Sequence, residues 1–564
     1  MKQERRQVTL SPVLRYNGVV VRRGARVKTI SVVLVLLFGW VLPAWADAHG
    51  ESLRRRIELL RDSPIPSVAE SPLVAIEEVA ALYERRGFGL LWDDEANQRA
   101  LLGAIAASIN DGLAPDDFHS TVLGQLVERV ADGAPMVVRI DLDVLLTDGL
   151  VTLLRQLRLG KVDPEALEAN WYLDRAMLGT DLIDLADRAL REGDVAALVD
   201  RARLQHPYYH KLRSVLHDYA YIAEDGGWPT VPDGPLLKPG MDDPRVGTLR
   251  QRLSYGTEYV IDGNAESDHY DEALAAAVEQ FQVRHGLEPD GVIGPNTLAA
   301  LNVPVAARIA QIRVNLERAR WVLRELGKEL VLVNIAGGYV RLIRDDAIVW
   351  ESRVIVGKPY HQTPLFRKDM RYMVVNPTWN VTPSIARNEL FPKIRRDPSY
   401  LAQNNMDLID GSGARVDPAT VDFKGRLPYR IVQRAGDDNA LGRIKFMFPN
   451  RHNVYLHDTP SRTLFERARR TFSHGCVRVQ NPFELAEHIL MREPNFDGAG
   501  FQAIRESSET RTISLRRPLP VVLLYWTVDP HPDGDVIFYP DVYDRDAAIL
   551  KALDKSYVAF PRRL

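Results

Sequence analysis

Pro229, Pro232, Gly234, Pro235, Pro239 and Gly240 crowd one short stretch of this 564-residue chain. Prolines remove backbone donors and fix φ while glycines loosen it, so neither a helix nor a strand runs through, and the chain must fold as separate units on either side. A length of this order has room for about three or four domains.

Upstream, from about Leu53 to Trp228, the pattern reads mainly helical. Ile76, Val79, Ala80 and Tyr83 recur at helical spacing, as do Leu101, Leu102, Ile105 and Ile109. Asp111-Gly112-Leu113-Ala114-Pro115 predicts a break, and Asp143 to Leu159 a further helix stopped by Gly160. No catalytic constellation stands out there, which suits a scaffolding role.

Downstream comes a compact module. Val246, Leu249 and Leu253 share one helical face, and Leu274, Ala277, Val278 and Phe281 share another within His269 to Gly286. Asp290-Gly291-Val292-Ile293-Gly294-Pro295 then turns into a short helix through Leu298 and Leu301. Ala306 to Leu326 predicts an amphipathic helix with Ile309, Ile312, Leu316, Ala319 and Leu323 in a stripe. Glu329 to Ala336, Tyr339 to Arg344 and Ile348 to Val356 then open a β-rich domain, Gly337-Gly338 joining the first pair. The long stretch from Ser384 to Phe446 is expected to be an insertion beside the site, and insertions so placed often act as lids. Leu519 to Val528 reads as a strand, and Asp529 to Asp535 as a turn into Val536 to Tyr539.

The N-terminus reads as an export signal. Eight Lys/Arg side chains precede or flank the start of an apolar run from Ile30 to Leu42, shorter than the ~20 residues a membrane span needs, and Ala44-Trp45-Ala46 offers a small-x-small cleavage site. Cleavage after Ala46 is expected, giving a periplasmic protein; an uncleaved inner-membrane anchor is the alternative. Residues 1–46 hold Glu4 as their only acid, so the remainder is more acidic than the net −3 of the whole chain, which argues against a nucleic-acid partner.

The chain has one cysteine, Cys476, within Ser473-His474-Gly475-Cys476-Val477-Arg478. An exported lone cysteine has no disulfide partner within the chain, leaving an inert thiol, a metal ligand or a nucleophile. A free thiol is only about 3% ionised at pH 7, whereas a histidine partner can bring its pKa to about 6. Val454 to His457 reads as a strand end with Pro460 beyond it, so His457 is expected to face the strand carrying Cys476 and to act as its proton acceptor and donor. His474 sits too near Cys476 along the chain to be well aimed as a base. Backbone N–H groups at Gly475 and Cys476 could stabilise an oxyanion. Asn481-Pro482-Phe483-Glu484 predicts a capped helix from Pro482 to about Met491. A zinc site of His457, His474 and Cys476 is the chemical rival, without the usual paired-ligand spacing.

Two resemblances emerge from these motifs. Val246, Leu249, Gln251 and Leu253, with Ala277-Val278, Phe281-Gln282, Gly286-Leu287, Asp290-Gly291, Gly294 and Thr297, resemble the small three-helix peptidoglycan-binding domain over about Lys238 to Asn302. His457 followed by Ser473-His474-Gly475-Cys476-Val477-Arg478 resembles the L,D-transpeptidase (YkuD-type) catalytic domain. Val356-Gly357 and Asn376-Pro377-Thr378-Trp379-Asn380-Val381-Thr382-Pro383 resemble its larger periplasmic members, in which a subdomain caps the site.

The resemblance implies a multidomain α+β chain: a signal at 1–46, a helical scaffold domain at 47–237, a peptidoglycan-binding domain at 238–302 and a connecting helix at 303–328. It places the catalytic domain at 329–528, with a capping insertion at 384–446, and a C-terminal extension at 529–564. Cys476 would attack the diaminopimelate carbonyl of a donor tetrapeptide stem and release D-alanine, with His457 moving protons. Ser473, His474 and Gly475 would lie around the oxyanion, while Arg478 and Tyr455 would position substrate. A diaminopimelate amine of a second stem would resolve the thioester into a direct crosslink. Hydrolysis, attachment of a protein to the wall, or a non-catalytic docking role are the alternatives; other cell-wall synthesis enzymes are candidate partners. No cofactor or metal is expected.

Overall fold

The computed structural model describes residues 41–167, 171–172, 181–256, 259–260, 267–423, 428–494, 496–530 and 536–557. The basic stretch and nearly all of the apolar run behind the export expectation lie outside these residues. Among the described residues no helix is long and apolar enough to cross a membrane.

The helical region is built around Met136–Leu159, whose residues from Val138 onward are buried on nearly every side. This helix starts earlier than the Asp143 expected, because Pro135 stands at its N-cap and the following Val and Ile side chains pack into the core. Its buried acids are satisfied: Asp143 accepts from Tyr83 Oη at 2.6 Å and Trp92 N at 3.0 Å, and Asp148 accepts from Ala75 N at 2.7 Å. Gly112, at φ 73°, makes the expected break, and Ile109, read as part of a helical stripe, is instead exposed in the turn of 3-10 helix before it.

Helices Val246–Ser254, Glu272–Arg284 and Pro295–Leu301 enclose a separate core around Leu249, Val278 and Phe281. Gln282 explains the motif here. Its buried amide oxygen accepts from Asp290 N and Gly291 N, and its Nε2 donates to Asp290 Oδ1 and Val292 O, so one side chain fixes the Asp-Gly turn.

The helix Val305–Val322 is not the one-sided amphipath expected, since Asn315, Glu317, Arg318 and Arg320 are buried along with its apolar stripe. Each polar group has a reason to be inside. Glu317 accepts from Val162 N at 2.7 Å and pairs with Arg320 at 2.6 Å, while Arg320 also donates to Tyr209 Oη and the Asp111 carbonyl. Asn315 exchanges hydrogen bonds with Thr527. The helix thereby joins the helical region to the β domain.

In the β domain eight strands close on themselves. They are β1 (Glu329–Asn334), β2 (Tyr339–Arg344), β3 (Ala347–Gly357), β4 (Leu365–Val375), β5 (Ile444–Met447), β6 (Leu456–His457), β7 (Val477–Val479) and β8 (Arg511–Leu524). Around the ring the order is β5-β6-β7-β3-β2-β1-β8-β4, and β4 pairs with β5 to complete it. Closure removes the free edges that an open sheet would leave to aggregate.

Between β4 and β5 the chain leaves the ring and builds a four-stranded sheet from Trp379–Asn380, Met406–Ile409, Arg415–Val416 and Arg430–Gln433, with its own core of Leu390, Ile394, Leu401 and Ile431. The insertion expected at 384–446 is thus shifted. Ile444 and Phe446 are fully buried ring residues, whereas Trp379–Asn380 already belongs to the excursion. A clasp closes its neck: Asn376 N donates to Arg443 O at 2.7 Å and Arg443 Nε returns a bond to Asn376 Oδ1 at 2.7 Å.

The helix after the cysteine runs Pro482–Leu490 without the capping box expected. Asn481 makes no capping bond, and Glu484 instead accepts from Trp350 Nε1 at 3.0 Å.

Candidate active site

Cys476 lies on a loop held by three neighbours. Thr471–Ser473 pairs with the end of β3, and Val477 starts β7, which runs parallel to β6 with Leu456 opposite Val477 and His457 opposite Arg478. Ser473 is buried and staples the loop, donating from Oγ to Cys476 O at 2.5 Å while accepting from Gly475 N at 3.0 Å. The Gly475 N–H expected to face an oxyanion is therefore already engaged, which leaves that of Cys476.

Gly475 takes φ 109°, a conformation strained for other residues. Beneath it Gly357 packs so closely that a Cβ there would collide with His361 O and press on Gly475 Cα. Thr363 Oγ1 donates to Gly475 O at 2.9 Å and accepts from Gly357 N at 2.9 Å; Tyr543 Oη donates to Gly357 O at 2.7 Å and accepts from Thr363 N at 3.2 Å. Sequence reading missed both Thr363 and Tyr543. Tyr543 is far downstream, and no spacing or motif signals its return to this loop.

The sulfur is half-buried, receives hydrogen bonds from the N–H and hydroxyl of Tyr455, and lies 3.7 Å from Asn453 O. Burial pushes the thiol above its ordinary pKa, and the Tyr455 bonds and Arg478 charge offset this only in part. His457 is buried, with Nδ1 donating to Asp458 O at 2.5 Å. That bond fixes the Nδ1–H tautomer and leaves the lone pair on Nε2. Burial first, then the Arg478 charge, lowers its pKa to about 3 against the opposing backbone bonds. The expected thiolate stabilised by a histidine is therefore not the resting state. Thiol and imidazole are both neutral, and among the described residues no hydrogen bond joins them.

The other expected residues separate into two groups. Tyr455 packs 5.6 Å from His457, ring to ring, and Arg478 sits beside His457 in register, so both share the Cys476 face. His474 turns away: its ring lies tilted against that of His361, 5.1 Å between centres, and Nε2 lies 2.5 Å from Glu389 Oε1 of the inserted subdomain. His457, His474 and Cys476 do not converge, and no group of three or more His, Cys, Asp or Glu among the described residues could hold a metal.

Three family models match along the chain: a scaffold domain over 77–216, a peptidoglycan-binding domain over 242–301 and the L,D-transpeptidase catalytic domain, YkuD, over 328–496. The chain carries a YkuD-type L,D-transpeptidase catalytic domain. Its catalytic domain holds the only cysteine, as a nucleophile-based member requires. A Haemophilus influenzae protein provisionally named an L,D-transpeptidase is 37% identical over 222 residues, which make up 39% of this chain and 45% of that protein. The match thus spans under half the length of that relative. A crystal structure of the L,D-transpeptidase (residues 123–326) from Xylanimonas cellulosilytica aligns at 17% identity over 52% of this chain and 99% of its own, with a TM-score of 0.16, too low for inference from shape.

Proposed function

We propose that this transpeptidase forms direct diaminopimelate–diaminopimelate crosslinks in peptidoglycan through a thioester on Cys476. The observation that carries the reading is a single thiol on a glycine-shaped loop beside a neutral histidine whose Nδ1–H is held by Asp458 O. Sγ attacks the carbonyl that joins diaminopimelate to the terminal D-alanine of a tetrapeptide stem. The thiol proton passes to His457 Nε2 and on to the departing amine, the C–N bond breaks, and D-alanine leaves. A diaminopimelate amine of a second stem then attacks the thioester, gives its proton to His457, and restores the thiol.

Because both partners start neutral, proton transfer accompanies attack instead of preceding it. The 242–301 module would hold the protein on its polymer in the periplasm, which fits the export pattern of the N-terminus. The test is incubation with defined tetrapeptide muropeptides, with products read by mass. Crosslinked dimers with loss of D-alanine support transfer; tripeptides alone would indicate hydrolysis, and unchanged tetrapeptides would overturn the proposal.

A further inference from the structure

Two cations flank the candidate site without an acid to match them. Lys445, on β5, is paired in register with His457, and its ammonium lies 5.9 Å from the ring centre of Tyr455. Arg478, on β7, is in register with the same histidine from its other side, and its buried Nε has no hydrogen-bond partner. Among the described residues neither side chain forms an ion pair. Several buried guanidinium groups elsewhere are matched by an acid, Arg320 by Glu317, Arg341 by Asp529 and Arg318 by Asp546, while Arg308 is held by neutral acceptors, Gln311 Oε1 and Ala300 O.

The nearby acids are already committed. Asp458 accepts from Arg443 N and Thr459 N and pairs with Arg462, and Glu389 faces His474. Desolvating a cation without a counter-charge is costly, and two on one face of a site call for an anion supplied from outside. Burial lowers the pKa of Lys445, with no acid opposing it, and burial, followed by the Arg478 charge and more weakly by that of Lys445, keeps His457 in its neutral form.

We propose that Lys445 and Arg478 form a carboxylate-binding pair beside Cys476 that holds a carboxylate of the donor stem while the thiol attacks. The planar guanidinium suits a fork of two carboxylate oxygens, and the ammonium supplies a movable second charge. This rests on the transpeptidase reading for its ligand, although not for the anion preference itself. Two of the donor stem's carboxylates lie on the residues that the reacting bond joins: the terminal one, on the leaving residue, and the one at the far end of diaminopimelate.

The test has an arm that needs no peptidoglycan chemistry. Cys476 is alkylated with iodoacetate, an anion, and with the neutral iodoacetamide, and the ratio of the two rates is compared between proteins. Both reagents draw on the same thiolate fraction, so any change in thiol pKa cancels. The ratio is expected to fall about tenfold in Lys445→Met, the size of one charge-assisted contact, and to be largely kept in Lys445→Arg. A ratio unchanged in both Lys445→Met and Arg478→Gln overturns the proposal, with the iodoacetamide rate and circular dichroism reporting that the fold is intact.

The second arm uses tetrapeptide donors amidated either at the terminal carboxylate or at the diaminopimelate carboxylate. The amide that acylates Cys476 about tenfold more slowly in the wild-type protein, with that penalty lost in Lys445→Met, names the carboxylate held. Equal acylation by the acid and both amides overturns the proposal. If no donor acylates Cys476 while the iodoacetate preference and its loss in Lys445→Met persist, the anion pair stands and the transpeptidase reading fails.

Discussion

His474 Nε2 lies 2.5 Å from Glu389 Oε1, so the residue two before Cys476 touches the inserted subdomain across a gap of 85 residues in sequence. The two side chains are about a third exposed, at 29% and 43%, and such a contact is worth about 1 kcal/mol or less. Glu389→Ala should therefore slow transfer between peptides by up to about fivefold and leave the iodoacetamide rate of Cys476 unchanged. Rates of dimer formation and of alkylation, measured on the same samples, check this. Equal effects on both would mean that Glu389 shapes the loop instead of how the subdomain meets substrate.

Tyr543 tests the foundation of the Cys476 loop. Tyr543→Phe removes one hydroxyl and strands two buried groups, Gly357 O and Thr363 N. The expected loss is about 1–3 kcal/mol of stability, read from the denaturant midpoint, together with a fall in acylation larger than the fall in folded fraction. Gly357→Ala should be worse, because its Cβ has only backbone to push against.

The thiol should behave as a buried one. With its pKa raised by desolvation, alkylation of Cys476 should keep climbing from pH 7 past the ordinary thiol range without a plateau near pH 6. Intact mass should report one adduct per chain, with a carbapenem as with iodoacetamide, and none on Cys476→Ala. A rate already flat at pH 7 would mean that a thiolate–imidazolium pair exists after all.

His457 should leave a mark on acid stability. Its folded pKa of about 3 lies below the unfolded value near 6.5, so between these the unfolded chain binds the extra proton. The stability it contributes is whole above pH 6.5 and is lost as pH falls toward 3, at up to about 1.4 kcal/mol per pH unit. Denaturant titrations of wild type and His457→Gln should show a shallower acid slope for the variant. Parallel slopes would place the titration elsewhere.

Much of this was legible in the chain because it depends on local pattern. Helical spacing located the helix Ile76–Arg85, the Asp-Gly turn announced the fold of the small module, and β-branched runs gave β1 to β3 nearly to the residue. The motif singled out Cys476 and His457 as candidates, but not their electrostatics, since burial is a property of the whole ring and not of neighbours in sequence. The same limit hid Thr363, Tyr543 and Lys445. It also made Val305–Val322 look amphipathic, because each of its buried polar groups is satisfied by a partner far away in sequence.

The clasp between Asn376 and Arg443 makes the inserted subdomain a unit with one doorway. Because Val375 and Ile444 are hydrogen-bonded neighbours, the chain enters and leaves at the same point of the ring, and a short turn could bridge them. Subdomains of other lengths and shapes could thus be exchanged beside the Cys476 loop without rethreading a single barrel strand.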